Sequence, residues 1–328
     1  MFHSPLKAAI KRGALVAAAN WQVSVIQASA DSLFKLLLAA PVIGGMFLMA
    51  LAVGSEPASL LTLEWREMAA TIVSSLLDRP IVLSAFLLSV VTVAVGGSVF
   101  VFLVKAGTVA TLARSDRDAG PIEEPPLHAS IVARASRFGV ESYIESARAL
   151  SPRYIRLGFM LMGVYAVSGG CFLMLVDTGE GWSLTALLTS LFVLWIALVN
   201  LLYLLVQIVI AADDCNVATA SRRVAAFLRR EPRQVATVML LVLVLIVTAT
   251  GASVLATAVL GLVGFVPFLG LAALPLQLLA WLLRGLVFQY IGLTSVCAYL
   301  RLYRAFADQH LRDRPRPSTV YHQLPSQA

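Results

Sequence analysis

The sequence predicts an all-α fold: a polytopic membrane bundle of six transmembrane helices with interfacial amphipathic helices and both termini in the cytoplasm. Three observations predict it. Of 328 residues 59% are hydrophobic and 13% charged, whereas a soluble domain carries about 25% charged residues; the mean hydropathy is +0.86. The apolar runs are long enough to cross a hydrocarbon core about 30 Å thick at about 20 residues each, and none alternates as a barrel strand does. Lysine and arginine gather in alternate connections, the signature of cytoplasmic loops.

Residues Ser4 to Ala30 read as one helix along the membrane or covering the bundle, with Ser4 as N-cap and Pro5 at the first helical position. Leu6, Ile10, Ala14, Ala17, Trp21 and Val25 recur along it at three- or four-residue spacing. Lys7, Lys11 and Arg12 ahead of Ala28-Ser29-Ala30 imitate a signal peptide, but Asn20, Trp21 and Gln22 interrupt the apolar run.

The first span is expected over about 32–53 and the second over about 81–104. Between them Leu61, Trp65, Met68, Ile72 and Leu76 mark an amphipathic helix on the outer side. From Lys105 the chain reads as a polar loop with breakers at Gly120-Pro121 and Pro125-Pro126, then a short helix, Val140 to Leu150, ended by Ser151-Pro152. The third span covers about 155–176 and the fourth about 183–212.

Asp213 to Arg230 is a compact amphipathic helix, with Val217, Ala220, Val224 and Phe227 on one face and Arg222, Arg223, Arg229 and Arg230 mostly off it. Spans five and six follow at about 235–260 and 271–300, joined by an uncharged turn with Pro267. The chain thus divides into an N-terminal cytoplasmic interfacial helix (1–31), the transmembrane domain (32–304) and a disordered cytoplasmic tail (305–328). A loose threefold plan, amphipathic helix then two spans, runs through it.

Lys7, Lys11, Arg12 and Lys35, the arginines between spans two and three and between spans four and five, and Arg301 and Arg304 all fall on one side; Arg66 and Arg79 fall on the other. That bias places both termini in the cytoplasm of a bacterial inner (plasma) membrane. Cleavage after Ala30 would invert the parity.

The charge of +7 and pI near 9.6 are spread over span ends, so the basic residues point to anionic lipid on the cytoplasmic face rather than to nucleic acid; a membrane-protein partner is the other interaction this layout serves. Cys171, Cys215 and Cys297 lack any C-x-x-C spacing and read as small buried apolar residues. The four histidines fall in polar segments and no Asp or Glu lies within an expected span. No catalytic residue, metal site or cofactor is expected, and the chain reads as a non-enzyme.

Val235 to Leu300 holds one formal charge, Arg284, where a lone cation costs about 2.5–3.5 kcal/mol on insertion scales. Gln277 shares its face, and on span four Asn200, Tyr203 and Gln207 share another. The two faces are expected either to meet around a polar pocket for an anionic lipid headgroup or small anion, or to leave Arg284 as an anchor bonded to carbonyls near Pro275 and Gly285. With no carboxylate inside the membrane, an acid-relay transporter is disfavoured. Thr248, Ala252 and Ala256 form a small-residue stripe suited to close helix approach.

At the exit of span four, Asp213, Val217, Ala220, Arg222 and Arg223 match in order a pattern of acid, apolar residue, alanine and two basic residues, with Val224 where a serine would follow. In this the chain resembles poorly characterised six-helix bacterial membrane proteins, among them the membrane domain attached to some glycerophosphodiester phosphodiesterases. The resemblance implies an accessory, lipid-associated membrane domain. The residues and the resemblance together lead to an expected non-enzymatic protein that organises lipid or partners, with a lipid or anion transporter built around Arg284 as the alternative.

Overall fold

The computed structural model describes residues 5–53, 80–124, 129–136, 138–177, 182–264 and 269–312. The amphipathic helix expected over Leu61–Leu76 and residues 313–328 of the expected tail lie outside the described residues, whereas 305–312, expected as disordered tail, continue the last helix, where Phe306 packs against Phe227. Those described form nine helices: α1 (Pro5–Ala19), α2 (Trp21–Val53), α3 (Pro80–Asp118), α4 (Ala129–Ala135), α5 (Val140–Asp177), α6 (Trp182–Asp213), α7 (Val217–Arg230), α8 (Pro232–Gly264) and α9 (Leu269–Arg312). Six of them, α2, α3, α5, α6, α8 and α9, are long and apolar enough to cross a membrane. The protein is a multi-pass, all-helical membrane protein.

Several helices run past their expected ends. The N-terminal helix breaks at Asn20, and α2 then continues unbroken into the first span. The Asn20 amide donates to the Val16 and Ala135 carbonyls and accepts from the Ser115 hydroxyl, so the corner is bonded to three separate segments. In α3 the helix continues from Lys105 to Asp118, where a loop was expected.

The expected stop at Ser151-Pro152 is likewise absent, and α5 passes through Pro152. A proline removes the N–H that would bond the carbonyl four residues earlier. Here the Ser151 hydroxyl donates to that carbonyl, Arg148 O, at 2.9 Å, and the helix survives by the substitution that hydroxyls provide elsewhere in membrane helices.

The core gathers at one end of the bundle. Phe102 to Leu112 of α3, Tyr203 to Ile210 of α6 and Leu293 to Tyr303 of α9 contribute most of it, joined by α1, α7 and the start of α8. Farther along the spans the side chains point outward; none of the most apolar window of α5 is buried. The hydrophobic effect closes a core where water would otherwise enter, while among lipid tails apolar helices gain little from touching each other.

α2 packs on α3, α3 on α5, α5 on α6 and α8 on α9, and α9 meets α2 and α6. α1 lies along α9. Its buried face is Ala9, Gly13, Val16 and Ala17, of which Ala17 alone belongs to the expected stripe, and Trp21 is left 61% exposed. The contact is backbone-close: a Cβ on Gly13 would stand 2.7 Å from the Thr294 carbonyl oxygen. Of the cysteines only Cys297 is buried; Cys215 is half-buried and Cys171 exposed, and all three are free. Cys171 therefore differs from its expected burial because it faces outward where the spans are not packed.

Candidate functional site: a polar belt and a lateral cleft

The residues expected to form one pocket are placed on two separate surfaces. On α6, Asn200 turns toward α5, where it accepts from the Tyr165 hydroxyl at 2.6 Å and donates to the Ile196 carbonyl at 2.9 Å. Tyr203 and Gln207 are buried, and the Gln207 backbone carbonyl accepts from Tyr154 at 2.8 Å. On α9, Gln277 and Arg284 line a cleft of about 620 Å³ against Ala252 and Ala256 of α8. Arg284 also lines a second cleft, about 740 Å³, whose other wall is α2. Asn200, Tyr203 and Gln207 line neither.

Between the two surfaces stand groups that the sequence did not single out. Gln289, five residues along α9 from Arg284, donates to the Asp31 carboxylate of α2. Asp31 is the acidic charge acting on Lys105 of α3, and the Lys105 ammonium lies 5.7 Å from the centre of the Tyr203 ring, within cation–π range. The result is a polar belt running from Arg284 through Gln289, Asp31, Lys105 and Tyr203 toward Tyr165 and Asn200.

The belt's four central members lie at one depth. Asp31, Lys105, Tyr203 and Gln289 are ten to twelve residues along their helices from Asn20, Asp116, Asp213 and Arg301 respectively, which at 1.5 Å per residue is about 15–18 Å. Asp31 lies in the helix of the first candidate span, Trp21–Gly45, one residue ahead of the start expected at 32, because α2 runs unbroken from Trp21.

Among the described residues six buried polar side-chain atoms face no protein partner, and two of them are the Tyr203 hydroxyl and the Gln207 amide nitrogen. Both are donors, one turn apart on α6.

At the charged end, four segments meet on two carboxylates. Arg12 of α1 donates through Nε to Asp116 Oδ1 at 2.6 Å and through Nη1 to Glu123 at 2.7 Å, and its Nη1 also reaches the carbonyl of Gly120. Arg304 of α9 binds the other oxygen of Asp116, and Arg301 pairs with Glu123 at 3.4 Å. Gly120 turns the chain with φ +58, a conformation that glycine adopts without a Cβ penalty. Burial works to lower the Arg12 pKa, but the Asp116 charge and the hydrogen bonds that Arg12 donates to Asp116 and Glu123 outweigh it and leave the pKa raised.

No family model, curated protein or solved structure matches this chain.

α7 lies beside this network. Ala220, Val224 and Phe227 are buried, with the Phe227 ring 5.9 Å from Tyr303 and 5.4 Å from Phe306. Arg223 pairs with Asp213, which also accepts from the Tyr303 hydroxyl; that hydrogen bond and charge raise the Arg223 pKa. Arg153 pairs with Asp214, held at φ +48 in the turn between α6 and α7, a conformation Asp tolerates better than most residues. Arg222, Arg229 and Arg230 are exposed. Arg229 sits at an apolar groove of about 490 Å³ lined by Leu202 and Val206 of α6 and Leu228 of α7.

Proposed function

We propose that this chain is a non-enzymatic, lipid-organising protein of a bacterial inner membrane, with its charged end and both termini in the cytoplasm. The observation that carries the reading is the division of charge at that end. Asp116, Glu123, Asp213 and Asp214 are engaged by Arg12, Arg301, Arg304, Arg223 and Arg153, while Arg222 and Arg229 of α7 are exposed and Arg229 lines an apolar groove. Exposed arginine next to an apolar surface suits the phosphates of an anionic leaflet, worth about 1 kcal/mol per basic residue near the surface. An accessory lipid-associated role is also what the pattern at Asp213–Arg223 implies by resemblance.

The test is lipid retention. Native mass spectrometry of detergent-purified protein should show copurified anionic lipid, reduced in the Arg222→Gln/Arg229→Gln/Arg230→Gln variant. Equal retention in that variant and the parent would remove the reading.

A second reading, a lipid or small-anion transporter, is favoured by a specific observation: Arg284, Lys35 and Asp31 line one cleft within the spanning helices. Asp31 supplies the intramembrane carboxylate whose expected absence weighed against a coupled transporter. Its test is substrate-dependent flux in proteoliposomes, abolished by Arg284→Leu.

A further inference from the structure

The cleft between α2 and α9 combines features that a bilayer does not leave empty of counter-charge. Arg284 and Lys35 both line it, and the one acid there, Asp31, is already held by the Gln289 amide. The cleft therefore carries two cations against one engaged carboxylate. Lipid tails cannot solvate that excess, and an uncompensated cation at this depth is costly. The anion available in the same solvent is the phosphate of a phospholipid.

Access is built into α2. Ser29, Ser32 and Lys35 line the cleft at three-residue spacing, so they share one face of the helix and lead from the charged end toward Arg284. Opposite them Leu282, Leu286 and Phe288 of α9 flank Arg284 with apolar surface. The Arg284 guanidinium lies 5.7 Å from the Phe288 ring centre, close enough for a cation–π contact that holds it at the cleft wall. A polar track on one side and apolar walls on the other match an amphiphile, whose phosphate follows the serines while its acyl chains stay against leucine.

We infer that the α2–α9 cleft binds one anionic phospholipid, with its phosphodiester held between Arg284 and Lys35 and the Asp31–Gln289 pair setting how strongly an anion is accepted. This names a ligand and residues for the Arg284 reading above, and is independent of the basic face of α7. Asp31 repels the phosphate, so the site is tuned below its maximum affinity.

The experiment uses the full chain in detergent micelles, titrated with phosphatidylglycerol and followed by native mass spectrometry. Phosphatidylcholine serves as the zwitterionic control and inorganic phosphate as competitor. One phosphatidylglycerol should bind more tightly than phosphatidylcholine. Arg284→Leu and Lys35→Leu should each weaken it about tenfold, the loss of one charge-assisted contact. Asp31→Asn should strengthen it, a gain that a damaged fold does not produce. Arg222→Gln/Arg229→Gln should leave this one lipid bound, so a loss of surface lipid in that variant reports on the α7 face alone. Unchanged affinity in Arg284→Leu, weaker binding in Asp31→Asn, equal binding of phosphatidylcholine, or displacement by millimolar phosphate would each overturn the assignment.

Discussion

Arg12 and Asp116 meet at 2.6 Å with side chains 6% and 2% exposed, although 104 residues separate them in the chain. Together they bind the N-terminal helix to the end of α3, and through Arg304 to the end of α9. Removing one partner of such a pair leaves a buried charge, at a cost of about 3–5 kcal/mol. Arg12→Leu and Asp116→Leu are each expected to lower the thermal midpoint in detergent sharply, and the double variant to lose less than the sum. A raised Arg12 pKa contributes stability that is complete below the unfolded value and is lost only as pH rises past the folded value. The Arg12 contribution, read as the midpoint difference between parent and Arg12→Leu, should then be flat from about pH 6 to pH 10. A decline within that window would contradict the pairing.

The Asp31 and Lys105 charges should prove coupled. Lys105→Met strips Asp31 of a neighbouring cation and should destabilise by about 1–2 kcal/mol, less than a fully buried pair because Asp31 is half-buried. Asp31→Asn in the Lys105→Met background should recover part of that loss. A double-mutant cycle in detergent melts measures it; strict additivity would separate the two residues and break the belt at its centre.

Orientation has its own check. A reporter fused after Gly120 should report the cytoplasm and one after Gly179 the outside, as the lysine and arginine bias requires. The reverse pattern would place the Arg12–Asp116–Arg304 network on the outer face and remove the anionic-leaflet argument for α7.

Much of the bundle was legible in the residues. The six spans follow from apolar length, and α7 follows from Val217, Ala220, Val224 and Phe227. What misled was local punctuation: Ser151-Pro152 reads as a stop, yet the Ser151 hydroxyl replaces the lost donor. Asp31 stands just ahead of the first span expected over about 32–53, and only the continuous helix shows that α2 already runs through it. Arg284 stood out as the single charge in a long apolar block, and Gln277 does share a cleft with it. Asn200, equally visible, is bonded to Tyr165 instead.

The sequence by itself determined that the chain is helical, that it belongs in a membrane, and where its charges collect, since these depend on transfer of residues from water to hydrocarbon summed along one segment. Only the tertiary structure decided which charges face one another. Arg12 with Asp116, Gln289 with Asp31 and Lys105 over Tyr203 are contacts between helices distant in sequence, and helix periodicity states which residues share a face but not which helix that face meets. The closing of α9 onto α1, α2 and α6 makes Arg284 part of a cleft with Lys35 rather than of a pocket with Asn200.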